Sequence, residues 1–198
     1  MAEITAKAVK QLRESTGLGM MDCKKALQET DGDLEKAVDY LRKQGLSAVE
    51  KRAGREATEG LVVSYIHPGS RLGVLLEVNC ETDFVARTDD FQQFAKDLAM
   101  HIAASRPVAV DREGVPENTV ERERRIFMEQ AANEGKPEHI AEKIVNGRME
   151  KFYQEACLLE QAFVKDPDKT VQDLLTEITA RIGEKIRIRR FSCFRLGE

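Results

Sequence analysis

Residues 71–102 read RLGVLLEVNCETDFVARTDDFQQFAKDLAMHI, and their apolar periodicity changes from that of a strand to that of a helix. Alternating apolar residues predict a strand that ends near Cys80, and they are Leu72, Val74, Leu76 and Val78. The next apolar residues recur at the spacing of one helix face: Phe91, Phe94, Ala95, Leu98 and Ile102. A side-chain oxygen of Thr88, Asp89 or Asp90 is placed to cap the first turn of that helix.

Phe84 fits neither periodicity, because it lies between the predicted strand and the predicted helix. Two hypotheses are open for it. A single phenylalanine most often packs into the core of its own protein. The alternative is a side chain that projects, beside Asp83, at the rim of the sheet. Under the second hypothesis, the junction between strand and helix is the working site of the protein.

The composition predicts a soluble protein that buries a core and binds other proteins. Of its 198 residues, 41% are apolar and 33% are charged, which is typical of a globular chain. The net charge of −4 argues against a nucleic-acid-binding protein, because phosphate contacts require a clustered excess of Lys and Arg. No apolar run is long enough to cross a membrane, and the first residues have no signal or transit character. We therefore expect a cytoplasmic protein.

No pattern in the sequence predicts a catalytic site, a metal site or a bound cofactor. The cysteines are far apart and form no CxxC pair: Cys23, Cys80, Cys157 and Cys193. We expect the first three to be small core residues, whereas Cys193 lies either on the apolar face of a strand or at an interface. The phosphate-binding motifs GxxxxGK[ST] and GxGxxG are both missing, so the chain is not expected to bind a nucleotide of its own.

The first 45 residues predict three short helices. Thr5 is the expected N-cap of the first helix, and the glycines of the GLG segment separate it from a second helix that starts near Met20. Asp33 precedes the third helix, and Gly45 is expected to end it. The predicted domains are accordingly an N-terminal three-helix domain (residues 1–50), a linker (51–60) and a core domain (61–198).

The core domain is predicted to be α+β. LVVSYIH and RLGVLLEVN form a hairpin in which Pro68 and Gly69 suit the centre of a type II turn. The boundaries of later helices are expected at Pro116, Pro137, Gly147 and Asp166–Asp168, with Thr170 capping the last one. A final alternating strand follows in EKIRIRRFSCFRLG, with a bulge that returns Phe191 and Cys193 to the apolar face. The expected architecture is about three antiparallel strands covered by helices.

Two motifs carry a family resemblance. LRESTGLGMMDCKKAL (residues 12–27) and EVNCETDFVAR (residues 77–87) resemble the two signature sequences of translation elongation factor Ts, in the same order. The resemblance extends over the whole chain and includes GDLEKAVDYLRKQG, GKPEHIAEKIVNGRMEKF and EQAFVKDPDKTVQDLL. It implies a guanine nucleotide exchange factor that binds elongation factor Tu with GDP and acts by binding, without covalent chemistry.

The resemblance also implies roles for particular residues. Thr82, Asp83, Phe84 and Val85 match the segment that the family inserts beside the partner's nucleotide site, where it disturbs Mg²⁺ and phosphate binding so that GDP leaves and GTP enters. A ubiquitin-associated-like (UBA-like) N-terminal domain would contact the same partner through Arg13, Met20 and Met21. Without the family, the two methionines are better interpreted as core residues of the bundle. His67 matches a histidine that contacts another domain of the partner.

The length of the chain predicts its assembly. Longer family members carry the core fold twice, whereas this chain has room for one copy. The resemblance therefore implies a homodimer, with residues 186–196 near the interface, and a complex of two Ts chains with two Tu chains. Two other hypotheses remain: an adaptor whose N-terminal bundle binds ubiquitin-like or nascent polypeptide ligands, and an RNA-binding protein that uses Arg187, Arg189 and Arg190. Arginines that guard a solvated edge strand are the simpler interpretation of the latter residues.

Overall fold

The computed structural model describes residues 4–134 and 137–198. The first three residues of the predicted N-terminal domain, and the first two of the GKPEHIAEK segment, lie outside this range. In chain order the helices and strands are α1 (Ala6–Thr16), α2 (Met20–Glu29), α3 (Leu34–Arg52), β1 (Glu59–Ile66), β2 (Leu72–Cys80), α4 (Asp83–Ala86), α5 (Asp89–Ser105), α6 (Glu117–Asn133), α7 (Glu138–Ala156), β3 (Ala162–Phe163), β4 (Asp166–Thr170), α8 (Val171–Ile182) and β5 (Arg187–Arg195).

The strands form two sheets. The larger sheet has three strands in the order β1-β2-β5, which confirms the predicted α+β class with about three strands. The hairpin between β1 and β2 turns as predicted, because the Ser70 amide donates to the His67 carbonyl at 2.9 Å and Gly69 has a φ of 92°. A second, two-stranded antiparallel sheet pairs β3 with β4. The sequence of β4 predicts only a helix boundary, at Asp166–Asp168, and not a strand.

The chain forms two compact units. The first consists of Met1–Leu61, Asn79–Gln92 and Asp173–Arg187, and so contains α1 to α4 and most of α8. The second consists of Val62–Val78, Gln93–Gln172 and Ile188–Glu198, and contains most of the three-stranded sheet, most of α5, and the helices α6 and α7.

In the first unit, α1, α2 and α3 form the predicted three-helix bundle. Thr5 caps α1 by accepting a hydrogen bond from the Ala8 amide at 3.2 Å, and Gly17 ends the helix in the left-handed region with a φ of 69°. The buried side chains of the bundle are Val9, Leu12, Cys23, Ala26, Leu27, Ala37 and Leu41. Three of these side chains are leucines and the others are shorter, so the core of this bundle is small.

The prediction that Gly45 ends the third helix is wrong, because α3 continues through it to Arg52. A Cβ atom on this buried glycine would lie 3.6 Å from side-chain atoms of both Thr176 and Ala180 on α8. Gly45 therefore marks a close approach of two helices. Arg42 on α3 and Asp173 on α8 add an ion pair at 3.7 Å along the same two helices.

The second unit contains further corrections. Gly147 was predicted as a helix boundary, but it lies inside α7. Pro116 and Pro137 are the N-cap residues of α6 and α7, so the predicted helix starts are confirmed to within one residue. Cys193 does not return to the apolar face, because its side chain is exposed and Phe191 is only half-buried.

Candidate functional site

The segment after β2 has the conformation of a helix cap. Thr82 is extended and is the N-cap of α4, with its hydroxyl oxygen accepting from the Val85 amide at 3.4 Å. The thiol of Cys80 donates to the Thr82 carbonyl oxygen at 3.1 Å. Burial, and then the nearby Glu184 carboxylate, raise the pKa of Cys80 to about 11, so the thiol keeps its proton at neutral pH. Cys80 is therefore a structural donor and not a reactive nucleophile.

Phe84 projects from this cap into solvent. Its side chain is 78% exposed, so the hypothesis that it packs into the core is wrong. Asp83, beside it, is half-buried, and its carboxylate accepts from Arg87 one turn later at 2.8 Å. An exposed phenylalanine next to a carboxylate on a capped turn has the form of a protein-binding element, because large aromatic side chains are the commonest interface anchors.

A carboxylate from the loop after α8 holds the same segment. One oxygen of Glu184 accepts from the backbone amides of Glu81 at 3.1 Å and Thr82 at 3.0 Å, and the other accepts from the Thr82 hydroxyl at 2.7 Å. Glu184 is not predictable from the sequence. It lies 102 residues from Thr82 along the chain, and no spacing rule or motif connects the two positions.

Glu81 makes the reverse contact, from the segment after β2 to the loop after α8. Its carboxylate accepts from the Lys185 amide at 2.6 Å and from the Arg55 guanidinium at 3.1 Å. The hydrogen bond from the Lys185 amide, followed by the one from Arg55, lowers the pKa of Glu81 from its usual value. Glu81 is therefore ionised at neutral pH.

Met20 and Met21 lie at the start of α2, as predicted, and point to solvent. Their side chains are 54% and 75% exposed, and neither belongs to the core of the three-helix bundle. The interpretation of both residues as bundle core is therefore wrong. Arg13 on α1 is exposed as well. Exposed methionines suit adaptable apolar contacts, because the thioether side chain is flexible and polarisable.

His67 is exposed at the end of the β1-β2 hairpin, in the second unit. Its Nδ1 atom lies 3.1 Å from the Tyr65 hydroxyl, which is a hydrogen-bond distance. Among the residues that the structure describes, no three His, Cys, Asp or Glu side chains are grouped to hold a metal ion. Over residues 4–134 and 137–198, no helix combines the length and apolar character needed to cross a membrane.

The family assignment follows from comparison with known proteins. The model of the elongation factor TS family matches residues 46–198. Elongation factor Ts from Carboxydothermus hydrogenoformans is 62% identical over 195 residues, covering 98% of this chain and 90% of that protein. The protein of the same name from Geobacter sulfurreducens is 63% identical with the same coverage. The one from Syntrophobacter fumaroxidans is 60% identical and covers 98% of both chains.

These similarities define a class of protein that acts in the elongation phase of translation. The chain belongs to the elongation factor Ts family, as its two signature motifs predicted.

Proposed function

We propose that this protein is a guanine nucleotide exchange factor that binds elongation factor Tu in its GDP form and promotes release of GDP. The observation that supports this proposal is the exposed Phe84, held on a capped turn with Thr82, Asp83 and Val85. A side chain of this size, displayed on a fixed backbone, can enter a partner with little loss of conformational entropy.

Exchange requires no covalent chemistry, so the factor acts by binding and not as an enzyme. A protein that prefers the nucleotide-free GTPase must weaken GDP binding by the same factor by which GDP weakens its own binding. Insertion of Phe84 beside the nucleotide site would displace the elements that order Mg²⁺ and the phosphate loop. Mg²⁺ carries much of the charge that holds the diphosphate, so its loss releases GDP and allows GTP to enter.

A second contact area lies on the N-terminal bundle, which we propose is a UBA-like domain of residues 1–50, joined by a linker (51–60) to the core domain (61–198). Met20, Met21 and Arg13 would contact the GTPase there. His67 on the hairpin would contact another domain of the same partner. The proposed setting is the cytoplasm, with no direct contact to nucleic acid or membrane.

The test is release of fluorescently labelled GDP from purified elongation factor Tu, with and without this protein. Phe84→Ala is expected to fold normally and to lose about 2 kcal/mol of interaction with the partner. This loss corresponds to GDP release that is about 30-fold slower. The matched control is Val108→Ala, which truncates another exposed apolar side chain, 53% exposed, and should keep the parental rate. An unchanged rate for Phe84→Ala would exclude the insertion mechanism.

A further inference from the structure

We propose that Glu184 is a positioning residue, whose carboxylate sets the conformation of the Thr82–Val85 turn before the partner binds. This inference rests on the proposed exchange function, because the turn that Glu184 holds is the one proposed to enter the partner. Glu184 itself lies outside that segment. The carboxylate uses both oxygens on that segment, one on the amides of Glu81 and Thr82 and the other on the Thr82 hydroxyl. A carboxylate that accepts several hydrogen bonds at short distance holds a backbone strongly.

The bond between Glu184 and the Thr82 hydroxyl also fixes that hydroxyl as the acceptor that caps α4. Because that hydroxyl donates its only proton to Glu184, its lone pairs are left to accept from the Val85 amide. Glu184 therefore acts on the first turn of α4 through Thr82. A change at Glu184 is expected to alter the orientation of the cap, and with it the direction in which Phe84 projects.

The reverse bonds from Glu81 make the arrangement reciprocal. Each glutamate accepts from the backbone beside the other, since Glu184 holds the Glu81 amide while Glu81 holds the Lys185 amide. The ammonium group of Lys185 in turn donates to the carbonyl oxygens of Ala53 at 2.5 Å and Arg55 at 2.8 Å. Three segments that are distant in sequence are joined here: the end of α3 with the residues after it, the start of α4, and the loop after α8.

Apart from Glu184, the segment is held by the Cys80 thiol, the Asp83–Arg87 ion pair and the buried Ala86, but none of these contacts bonds the backbone amides at its start. A helix of four residues is not stable by itself, because the first hydrogen-bonded turn costs more conformational entropy than one bond returns. Phe84 is exposed and so adds no core packing that would fix the turn. Hydrogen bonds to Glu184 therefore supply order that would otherwise have to be acquired at the moment of binding, at a cost in affinity.

The experiment compares the full-length protein with Glu184→Ala and Glu184→Asp, and uses Glu56→Ala, an exposed carboxylate of the same unit, as the matched control. Release of labelled GDP from the GTPase is measured over a range of factor concentrations. Loss of the three hydrogen bonds should raise the half-saturating concentration by about tenfold, with a smaller change in the maximal rate. The aspartate keeps the charge but is one methylene shorter, so it should behave like the alanine. Glu56→Ala should match the parent.

Amide hydrogen exchange of the free proteins gives a second readout that a general loss of stability would not reproduce. Faster amide hydrogen exchange in Glu184→Ala should be confined to residues 81–86. The amides of α1, α2 and α3 should keep the protection that they have in the parent. If Glu184→Ala does not fold, Glu184→Asp decides the question by the same two measurements. Parental values for the variant that folds would overturn the positioning role while the proposed exchange function stands. If the parent itself fails to release GDP, the proposed function is wrong, and hydrogen exchange alone still shows whether Glu184 orders the segment.

Discussion

His101 is a fully buried ionisable residue on α5, and hydrogen bonds fix its neutral form. The Val164 amide donates to Nδ1 at 3.3 Å, so the proton lies on Nε2, which donates to the Gln161 side-chain oxygen at 2.9 Å. The amide nitrogen of Gln161 donates to the Glu155 carbonyl, which fixes which end of Gln161 faces the ring. A second proton on His101 would face the Val164 donor and would have no acceptor.

This environment predicts a loss of stability at mildly acid pH. Burial lowers the pKa of His101 below its usual 6.5, so below about pH 6.5 the unfolded chain binds more protons than the folded one. The free energy of unfolding should therefore fall between pH 7.5 and pH 5.5, a range above that in which carboxylates such as Glu81 titrate. Urea unfolding at several pH values measures this. His101→Gln should reduce this pH dependence, because it removes the buried imidazole.

At the scale of helices and strands, two glycines with different surroundings give opposite predictions. Gly147 lies inside α7 with no atom within 4 Å of the position that a Cβ would occupy. Gly147→Ala should raise the free energy of unfolding by about 1 kcal/mol, because alanine has the better helix propensity and the added methyl meets nothing. Denaturant unfolding with an unchanged m value would measure the gain.

Gly17→Ala is the contrasting substitution. The backbone there has a φ of 69°, and a Cβ would lie 2.8 Å from the guanidinium of Arg181. Alanine should therefore destabilise the protein through backbone strain, since the flexible Arg181 side chain can move away from an added methyl group. If the two substitutions changed the stability in the same direction, helix propensity and backbone strain would not be the factors that distinguish these glycines.

The same elements show which parts of the fold the sequence determines locally. The alternation of β2, the periodicity of α5 and the Thr5 cap were readable, because in each case neighbouring residues carry the whole signal. Gly45 and Gly147 were misinterpreted as helix ends, since a glycine inside a helix has the same appearance in sequence as one that follows it. The strands β3 and β4 were missed because they have two and five residues, and DPDKT does not alternate.

The candidate site shows the same division between local and distant information. The exposure of Phe84 was one of two open hypotheses, because a break in periodicity marks a residue without stating which way it points. Glu184 was not predicted, since its contact with Thr82 joins segments that come together only in the folded chain. Long-range polar contacts of this kind have no periodicity to read.

For the molecule as a whole, the three-stranded sheet predicts self-association. Its strands lie side by side and expose several large apolar side chains: Val62 and Ile66 on β1, Leu75 on β2, and Phe194 on β5, with Leu196 directly after it. Large exposed apolar side chains on neighbouring strands of one sheet are a feature of protein interfaces. Glu77 on β2 and Arg190 on β5 also form an ion pair, at 2.7 Å, within the same sheet.

We therefore expect a homodimer, which would give a complex of two exchange factors with two GTPase molecules. Light scattering should give twice the chain mass of 22.3 kDa. Phe194→Glu should shift the protein towards the monomer, because burying an unpaired carboxylate at an apolar interface is unfavourable. Val108→Glu introduces the same charge at an exposed apolar position outside the sheet and should remain dimeric. A parental protein that stays monomeric at the highest concentration measured would contradict the dimer and leave these exposed side chains as a surface for another partner.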